Sequence, residues 1–93
     1  MFPPFAELVV LTRTDHDDAK AAASAREAAE SIAAGLLKEG IGGIRVMGPA
    51  PAFIHRLRGE YRWQVTLKGD DLQRARHLAP RGKGWSYDVD PVT

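Results

Sequence analysis

The sequence contains no cysteine, and this absence excludes three kinds of chemistry. A chain without cysteine forms no disulfide framework, has no cysteine-ligated zinc site and supplies no thiol nucleophile. Long apolar stretches are also missing, since no uninterrupted run approaches the roughly 20 residues that cross a bilayer. The first residues, Met-Phe-Pro-Pro, lack the basic region and apolar run of a secretion signal. These absences favour a soluble protein of the cytoplasm with no membrane partner.

Acidic residues are scarce in the second half of the chain, although the net charge of the 93 residues is only +1. Through Gly40 the sequence has four basic and seven acidic residues, a net −3. From Ile41 onward it has nine basic and five acidic residues, a net +4. An anionic partner would therefore meet the second half. The length predicts one compact domain over residues 1–93, with room for one sheet and one or two helices.

Hydrophobic periodicity and turn residues divide the chain into successive elements. Residues 5–14 are rich in Val, Leu and Thr, which predicts an inner strand that begins after the Pro-Pro pair. The segment Asp15-His16-Asp17-Asp18 supplies an N-cap and first-turn acids for a long helix, from about residue 17 to residue 38, that Gly40 ends. The other expectations are a short strand at 44–47 that Gly48-Pro49-Ala50-Pro51 stops, a hairpin arm at 52–57, a bend at 58–60, a returning strand at 61–68, a second helix from 70 to about 79, and a last strand at 85–89 that Pro91 closes.

This order of elements predicts the fold class. Strand, long helix, strand, strand, short helix and strand, in a chain this short, favour an α+β fold of the ferredoxin-like βαββαβ type. We expect a mostly antiparallel four-stranded sheet with both helices on one face.

Few motifs in the chain suggest catalysis or a cofactor. The glycine-rich segments at 40–43 and 82–84 lack the Gly-Lys-Ser/Thr helix start of a phosphate-binding loop, so we expect no ATP site. Asp88 and Asp90 share a strand face but have no third acid or histidine near them, which favours a structural role over a metal site. His16, His55 and His77 lie far apart without metal-ligand spacing. We therefore expect no metal, no cofactor and no catalytic residues.

The stretch from residue 52 to residue 68 interleaves basic and aromatic side chains. Arginine offers a planar fork for phosphate, and aromatic rings can stack on bases. Strand alternation places Tyr61 and Trp63 opposite Arg62, which favours a core position for the two rings over base stacking. Leu57 between Arg56 and Arg58 places both arginines on one side of a strand, and Arg62 follows just past the bend, so the three guanidinium groups could cluster. The candidate phosphate contacts are Arg56, Arg58, Arg62 and Lys68, and the aromatic residues interleaved with them are Phe53, Tyr61 and Trp63.

Four sequence motifs together resemble a known family. They are Phe2-Pro3-Pro4-Phe5 before the first strand, residues 46–52 (VMGPAPA), residues 56–64 (RLRGEYRWQ) and Asp88-Val89-Asp90-Pro91 near the end. In this order and at these separations they resemble the C-terminal domain of the primosomal protein N-prime (PriA), the bacterial replication-restart helicase. The resemblance covers essentially the whole chain.

The resemblance implies a non-catalytic domain beside a helicase core, similar in fold to a small-subunit ribosomal protein of the ferredoxin-like type. It implies contact with forked or duplex DNA and with the acidic C-terminal tail of the single-stranded DNA-binding protein, while the ATP site and zinc module would lie elsewhere in the longer protein. Arg58, Tyr61, Arg62 and Gln64 match the family's Arg-Gly-x-Tyr/Phe-Arg-x-Gln motif, which adds Gln64 to the DNA-binding candidates; Glu60 stands where a basic residue is common. On the second helix, the implied protein-partner residues are Gln73, Arg74 and Arg76.

Two other hypotheses remain open from the sequence. The domain could be a scaffold whose arginines brace the helicase lobes without contacting DNA. It could also be a small ferredoxin-like enzyme or ligand-sensing module, which would need a pocket lined by His55 or His77 with Asp88. Arginines tied to carboxylates of the same chain would favour the scaffold, whereas arginines without acidic partners would favour DNA binding.

Overall fold

A computed structural model describes residues 6–92 of the chain, with side chains from residue 7 to residue 89. The N-terminal Phe-Pro-Pro-Phe motif therefore lies outside the described residues. The strands are β1 (Ala6–Asp15), β2 (Ile44–Leu57), β3 (Glu60–Gly69) and β4 (Trp85–Val92), and the helices are α1 (Asp18–Glu39) and a short 3₁₀ helix (Leu72–Leu78).

The four strands form one sheet in the order β2-β3-β1-β4, and each neighbouring pair is antiparallel. β3 lies between β1 and β2, and β1 lies between β3 and β4, so both strand-helix-strand units are split by a strand from the other half. This topology confirms the predicted α+β, ferredoxin-like fold.

Helix α1 covers one face of the sheet because its small residues allow a close approach. Ala21, Ala25, Ala28, Ala29, Ile32 and Leu36 form its buried stripe. The Asp17 side chain accepts a hydrogen bond from the Lys20 amide at 3.1 Å, as predicted for the N-cap. Gly40 ends the helix with a φ of 68°, in the left-handed region that glycine adopts readily. The helix therefore begins and ends within about one residue of its predicted bounds.

The core lies between α1 and the central strands. Leu11 of β1, Val65 of β3 and Ile32 of α1 are fully buried. Leu72 and Ala75 of the 3₁₀ helix belong to the same cluster, so both helices lie on one face of the sheet. The opposite face carries Arg62, Gln64, Thr66 and Lys68 of β3, because side chains alternate along the strand.

The predicted end of β2 at Met47 is wrong, because the strand continues through both prolines to Leu57. β2 is an edge strand and has a neighbouring strand on one side only. A proline on the open side of an edge strand lacks a backbone N–H that would have no partner strand there, so the sheet loses no hydrogen bond. Its pairing with β3 shifts register twice, between Met47 and Ala50 and between Pro51 and Arg56. Gly48 makes the first shift possible: its φ is 101°, and a Cβ atom there would lie 2.8 Å from the Gln64 carbonyl oxygen.

The structure also differs from the predicted end of the last strand and from the predicted second helix. β4 passes through Pro91 to Val92 instead of closing there, since β4 is the other edge strand. The second helix is a single 3₁₀ segment of 7 residues, and Asp71 at its start makes no side-chain capping bond. Among the described helices, none is long and apolar enough to span a bilayer.

Candidate nucleic-acid interface

The ends of β2 and β3 form a hairpin arm, residues 52–62, that carries the predicted arginines. Leu57 pairs with Glu60, so Arg58 and Gly59 are the two central residues of the turn. Both have positive φ, 56° and 79°, which is the backbone that a tight two-residue hairpin turn requires. The predicted bend is therefore confirmed, and it exposes Arg58 at the tip of the arm.

The strand register divides the arginines of the arm between two faces. Arg56 pairs with Tyr61, and its guanidinium carbon lies 5.4 Å from the centre of the Tyr61 ring, close enough for a cation–π contact. Arg62, one residue after Tyr61, points to the opposite face, where its Nη1 donates to the Ile54 carbonyl oxygen at 3.2 Å. The expected cluster of three guanidinium groups on one side is therefore wrong, because the two-residue turn pairs Arg56 with Tyr61 and side chains alternate between faces from Tyr61 to Arg62.

None of the three arginines forms a salt bridge with a described carboxylate. The ion pairs of the described residues involve Arg13, Arg74 and the three histidines instead. Arg56 and Arg58 are exposed, and Arg62 is half-buried. Their cationic groups thus remain available to an anion from outside the chain.

The sheet face opposite α1 carries the other two predicted DNA-binding residues, Gln64 and Lys68. The Gln64 amide nitrogen lies 3.5 Å from the Thr12 hydroxyl, at the limit of a hydrogen bond. Lys68 is exposed and pairs with Arg45 of the neighbouring strand β2. Arg45 is therefore a second cation on this face, and the sequence patterns did not indicate it. The face therefore has Arg62 toward one end of β3 and the Arg45–Lys68 pair toward the other.

A polar cluster fastens the arm to the start of α1. Asp18 Oδ1 accepts a hydrogen bond from Trp63 Nε1 at 2.7 Å and lies 2.9 Å from His55 Nε2. The hydrogen bond from Trp63, with a smaller contribution from His55, lowers the pKa of Asp18 below its ordinary value. His55 also packs edge-on against Trp63, with ring centres 5.5 Å apart. His55 and Trp63 lie 37 and 45 positions after Asp18, so no local sequence pattern predicts that these side chains meet.

The two aromatic residues of β3 face inward, as predicted from alternation. Trp63 packs against the core cluster, and the centre of the Tyr61 ring lies 5.4 Å from that of the half-buried His55 ring. Phe53 is different: its side chain is fully exposed on the arm.

A groove of about 580 Å³ lies between the 3₁₀ helix and strands β1 and β4. Its apolar lining includes Leu11, Leu67 and Tyr87. Two of the three predicted partner residues, Gln73 and Arg76, line it, together with Arg81, which the sequence analysis did not single out. No described carboxylate forms a salt bridge with either arginine.

Arg74, the third predicted partner residue, does not line the groove. Its Nη2 donates to the Gly42 carbonyl oxygen at 2.9 Å, and its Nε donates to the Asp71 carbonyl oxygen at 3.1 Å. The Asp70 carboxylate lies 3.6 Å from the same guanidinium. These contacts join the 3₁₀ helix to the loop after α1.

The described residues offer little for an enzyme or a metal site. No group of three potential metal ligands occurs among them. The histidines that an enzyme hypothesis would need are paired elsewhere, His55 with Asp18 and His77 with Glu39 at 2.7 Å, and neither lines the groove.

Comparisons with known proteins identify a family for the chain. Residues 1–92 match the family model described as "Primosomal protein N C-terminal domain". The chain is 33% identical over 57 residues to the "Replication restart protein PriA" of Synechocystis, a match that covers 54% of this chain and 7% of that protein. The chain thus corresponds to a small part of its curated relative. A solved structure, "De novo designed protein Foldit4", aligns with a TM-score of 0.47 at 16% identity, over 95% of this chain and 97% of that one. The match across residues 1–92 shows that the chain belongs to the family of primosomal protein N C-terminal domains.

Proposed function

We propose that this domain is the non-catalytic DNA-binding and protein-docking part of a replication-restart helicase in the bacterial cytoplasm. In this role it lies beside the helicase core, contributes to the recognition of stalled or branched forks, and contacts the single-stranded DNA-binding protein. The observation that carries the proposal is the hairpin arm, where Arg56, Arg58 and Arg62 have no salt bridge to a described carboxylate.

Phosphate chemistry supports DNA as the partner of the arm. A guanidinium group donates hydrogen bonds in a planar fork that fits phosphate oxygens, and it stays charged at every physiological pH. Because the arginines occupy both faces and the tip of a narrow arm, they suit a ligand that surrounds the arm, such as the branch point of a fork. Gln64 and Lys68 extend the surface along β3.

Glu60 reduces the positive charge of the arm only in part. Its carboxylate lies 3.5 Å from His16 Nε2, on the loop before α1. This contact turns the acid toward the body of the domain, away from the arginines, so Glu60 is compatible with phosphate binding at the tip.

Replacement of Arg56, Arg58 and Arg62 together by alanine tests the proposal. We expect the affinity for forked DNA to fall about 3- to 150-fold, because three solvated charge contacts contribute roughly 0.2–1 kcal/mol each. Fluorescence anisotropy with a labelled fork measures the change.

The matched control replaces Lys20, Arg26 and Lys38 by alanine, which removes the same charge from the exposed surface of α1. The control should keep nearly the affinity of the unchanged chain. If the two triple variants bind alike, or if the unchanged chain binds no fork at low salt, the arm is not a DNA contact, and a scaffold role that braces the helicase lobes replaces the proposal.

The groove is the proposed docking site for the acidic tail of the single-stranded DNA-binding protein. Its apolar lining offers a place for apolar side chains, and Arg76 and Arg81 offer cations for carboxylates. Gln73 adds an amide that can bond to the peptide backbone. Arg74 acts indirectly in this proposal, because it holds the 3₁₀ helix in position.

Replacement of Arg76 by alanine should weaken the binding of a peptide with that tail sequence about 1.4- to fivefold, as expected for one solvated ion pair. Titration of a labelled peptide measures the effect. Arg58→Ala, on the distant arm, is the control and should leave peptide binding unchanged. Equal losses in the two variants would indicate nonspecific attraction to positive charge and would contradict docking in the groove.

A further inference from the structure

The ring of Phe53 is fully exposed, at 101% of its reference area, in a protein with a small core. Burial of a phenylalanine side chain in such a core would add more to the free energy of unfolding than burial of most other side chains. Two apolar neighbours on the arm are also exposed, Ile54 at 50% and Leu57 at 46%. Three apolar side chains in water within five residues indicate a surface that receives a partner.

The local backbone holds Phe53 in this exposed position. β2 loses its pairing with β3 between Pro51 and Arg56, and Phe53 lies within this unpaired segment. Two residues of the segment are anchored: Ala52 is buried, and His55 lies 2.9 Å from the Asp18 carboxylate. The segment is therefore fixed on both sides of Phe53, while the ring itself projects outward.

A cation is held beside the segment that carries the exposed ring. Arg62 Nη1 donates to the carbonyl oxygen of Ile54, the residue after Phe53. This bond fixes the guanidinium beside the segment without neutralising its charge. A flat apolar ring and an unneutralised arginine thus occupy neighbouring positions on the arm.

We propose that Phe53 stacks on an unpaired base of single-stranded DNA while the arginines of the arm bind the adjacent phosphates. The inference rests on the proposed function, since those arginines supply the phosphate contacts. Single-stranded nucleic acid has both required chemistries, because each nucleotide pairs an anionic phosphate with an apolar base face. Inside a duplex the base faces are already stacked on each other and are closed to the ring. The preferred ligand is therefore a single strand, such as the one exposed at a fork.

The test compares two single strands of equal length, oligothymidylate and the same backbone without bases. Both present the same phosphates, but only the first offers a base to stack. The unchanged chain should bind oligothymidylate more tightly. Phe53→Ala should lose about 5- to 150-fold in affinity for it, the range for one base–aromatic stack, and should bind the abasic strand as before.

Two variants separate stacking from other effects. Phe53→Tyr keeps the ring and should retain the preference for oligothymidylate. Leu37→Ala removes an exposed apolar side chain from the C-terminal part of α1, away from the arm, and should leave both affinities unchanged.

The outcomes also separate this inference from the proposed function. If Phe53→Ala binds oligothymidylate like the unchanged chain while the triple arginine variant loses binding, stacking is wrong, the arm still binds phosphate, and the apolar patch meets a protein surface. If the unchanged chain binds neither strand nor forked DNA, both proposals fail together.

Discussion

Replacement of Leu11 by alanine is expected to lower the free energy of unfolding by about 2–5 kcal/mol. Leu11 is fully buried on a central strand, where it contacts the cluster that joins the sheet to α1 and the 3₁₀ helix. The loss has two parts: the removed methyl groups no longer leave water on folding, and the packed surroundings close only part of the cavity. A domain of this size has about 5–15 kcal/mol of stability in total, so the variant would be close to unfolding.

Urea denaturation followed by circular dichroism measures this change. Leu37→Ala is the control, because the same side chain is 86% exposed on α1 and should change stability by no more than about 0.5 kcal/mol. A loss below about 1 kcal/mol for Leu11→Ala would contradict the position of β1 in the middle of the sheet.

Replacement of Gly48 by alanine is the second large effect, about 2–4 kcal/mol. One part is strain, because a φ of 101° is unfavourable for a residue with a Cβ atom. The other part is contact: the new Cβ would lie 2.8 Å from the Gln64 carbonyl oxygen, and backbone atoms cannot rotate away as a side chain can. The edge strand would have to separate from β3 at the point where the hairpin arm begins.

Gly82→Ala separates the two parts of this cost. Gly82 has a similar φ of 112°, but nothing lies within 4 Å of the position that a Cβ atom would occupy there, so this variant experiences strain alone. Denaturation of both variants should therefore show the larger loss at Gly48. Equal losses would show that the close approach of β2 to β3 contributes nothing.

The central elements were predictable because their signals are local. Strand alternation from Tyr61 to Lys68 indicated β3 and its inward aromatic residues, and the alanine stripe with its Asp17 cap indicated α1. The order of elements was enough to predict the sheet topology, because short split strand-helix-strand units have few arrangements.

The edges of the sheet were less predictable. Whether a proline stops a strand depends on which neighbours that strand has, and this is decided by the tertiary fold. Pro49 and Pro51 lie in an edge strand, so β2 continues through them, with register shifts that no local pattern indicates. The two-residue turn pairs Arg56 with Tyr61, which places Arg56 on the face opposite Arg62.

The sequence predicted which residues form the candidate site better than it predicted how they are arranged. Phosphate-binding chemistry and the family motif led to the arginines of the arm, and Gln73 and Arg76 do line one groove. Arg81 lines the groove from the loop after the 3₁₀ helix, where no periodicity predicts the direction of a side chain, and Arg74 is bonded to the Gly42 carbonyl instead. The contact of Asp18 with His55 and Trp63 joins distant parts of the chain and needed the structure.

The salt dependence of forked-DNA binding tests the central claim most directly. If Arg56, Arg58 and Arg62 each bind one phosphate, log affinity should fall with log salt at a slope of about −2.7 from these contacts alone. Between about 50 and about 200 mM salt this slope corresponds to a loss of about 40-fold. The account predicts that the slope of the triple alanine variant is shallower than that of the unchanged chain by about 2.7, the contribution of the three phosphate contacts. Equal slopes in the two proteins would contradict it, because they would mean that none of the three arginines contacts phosphate.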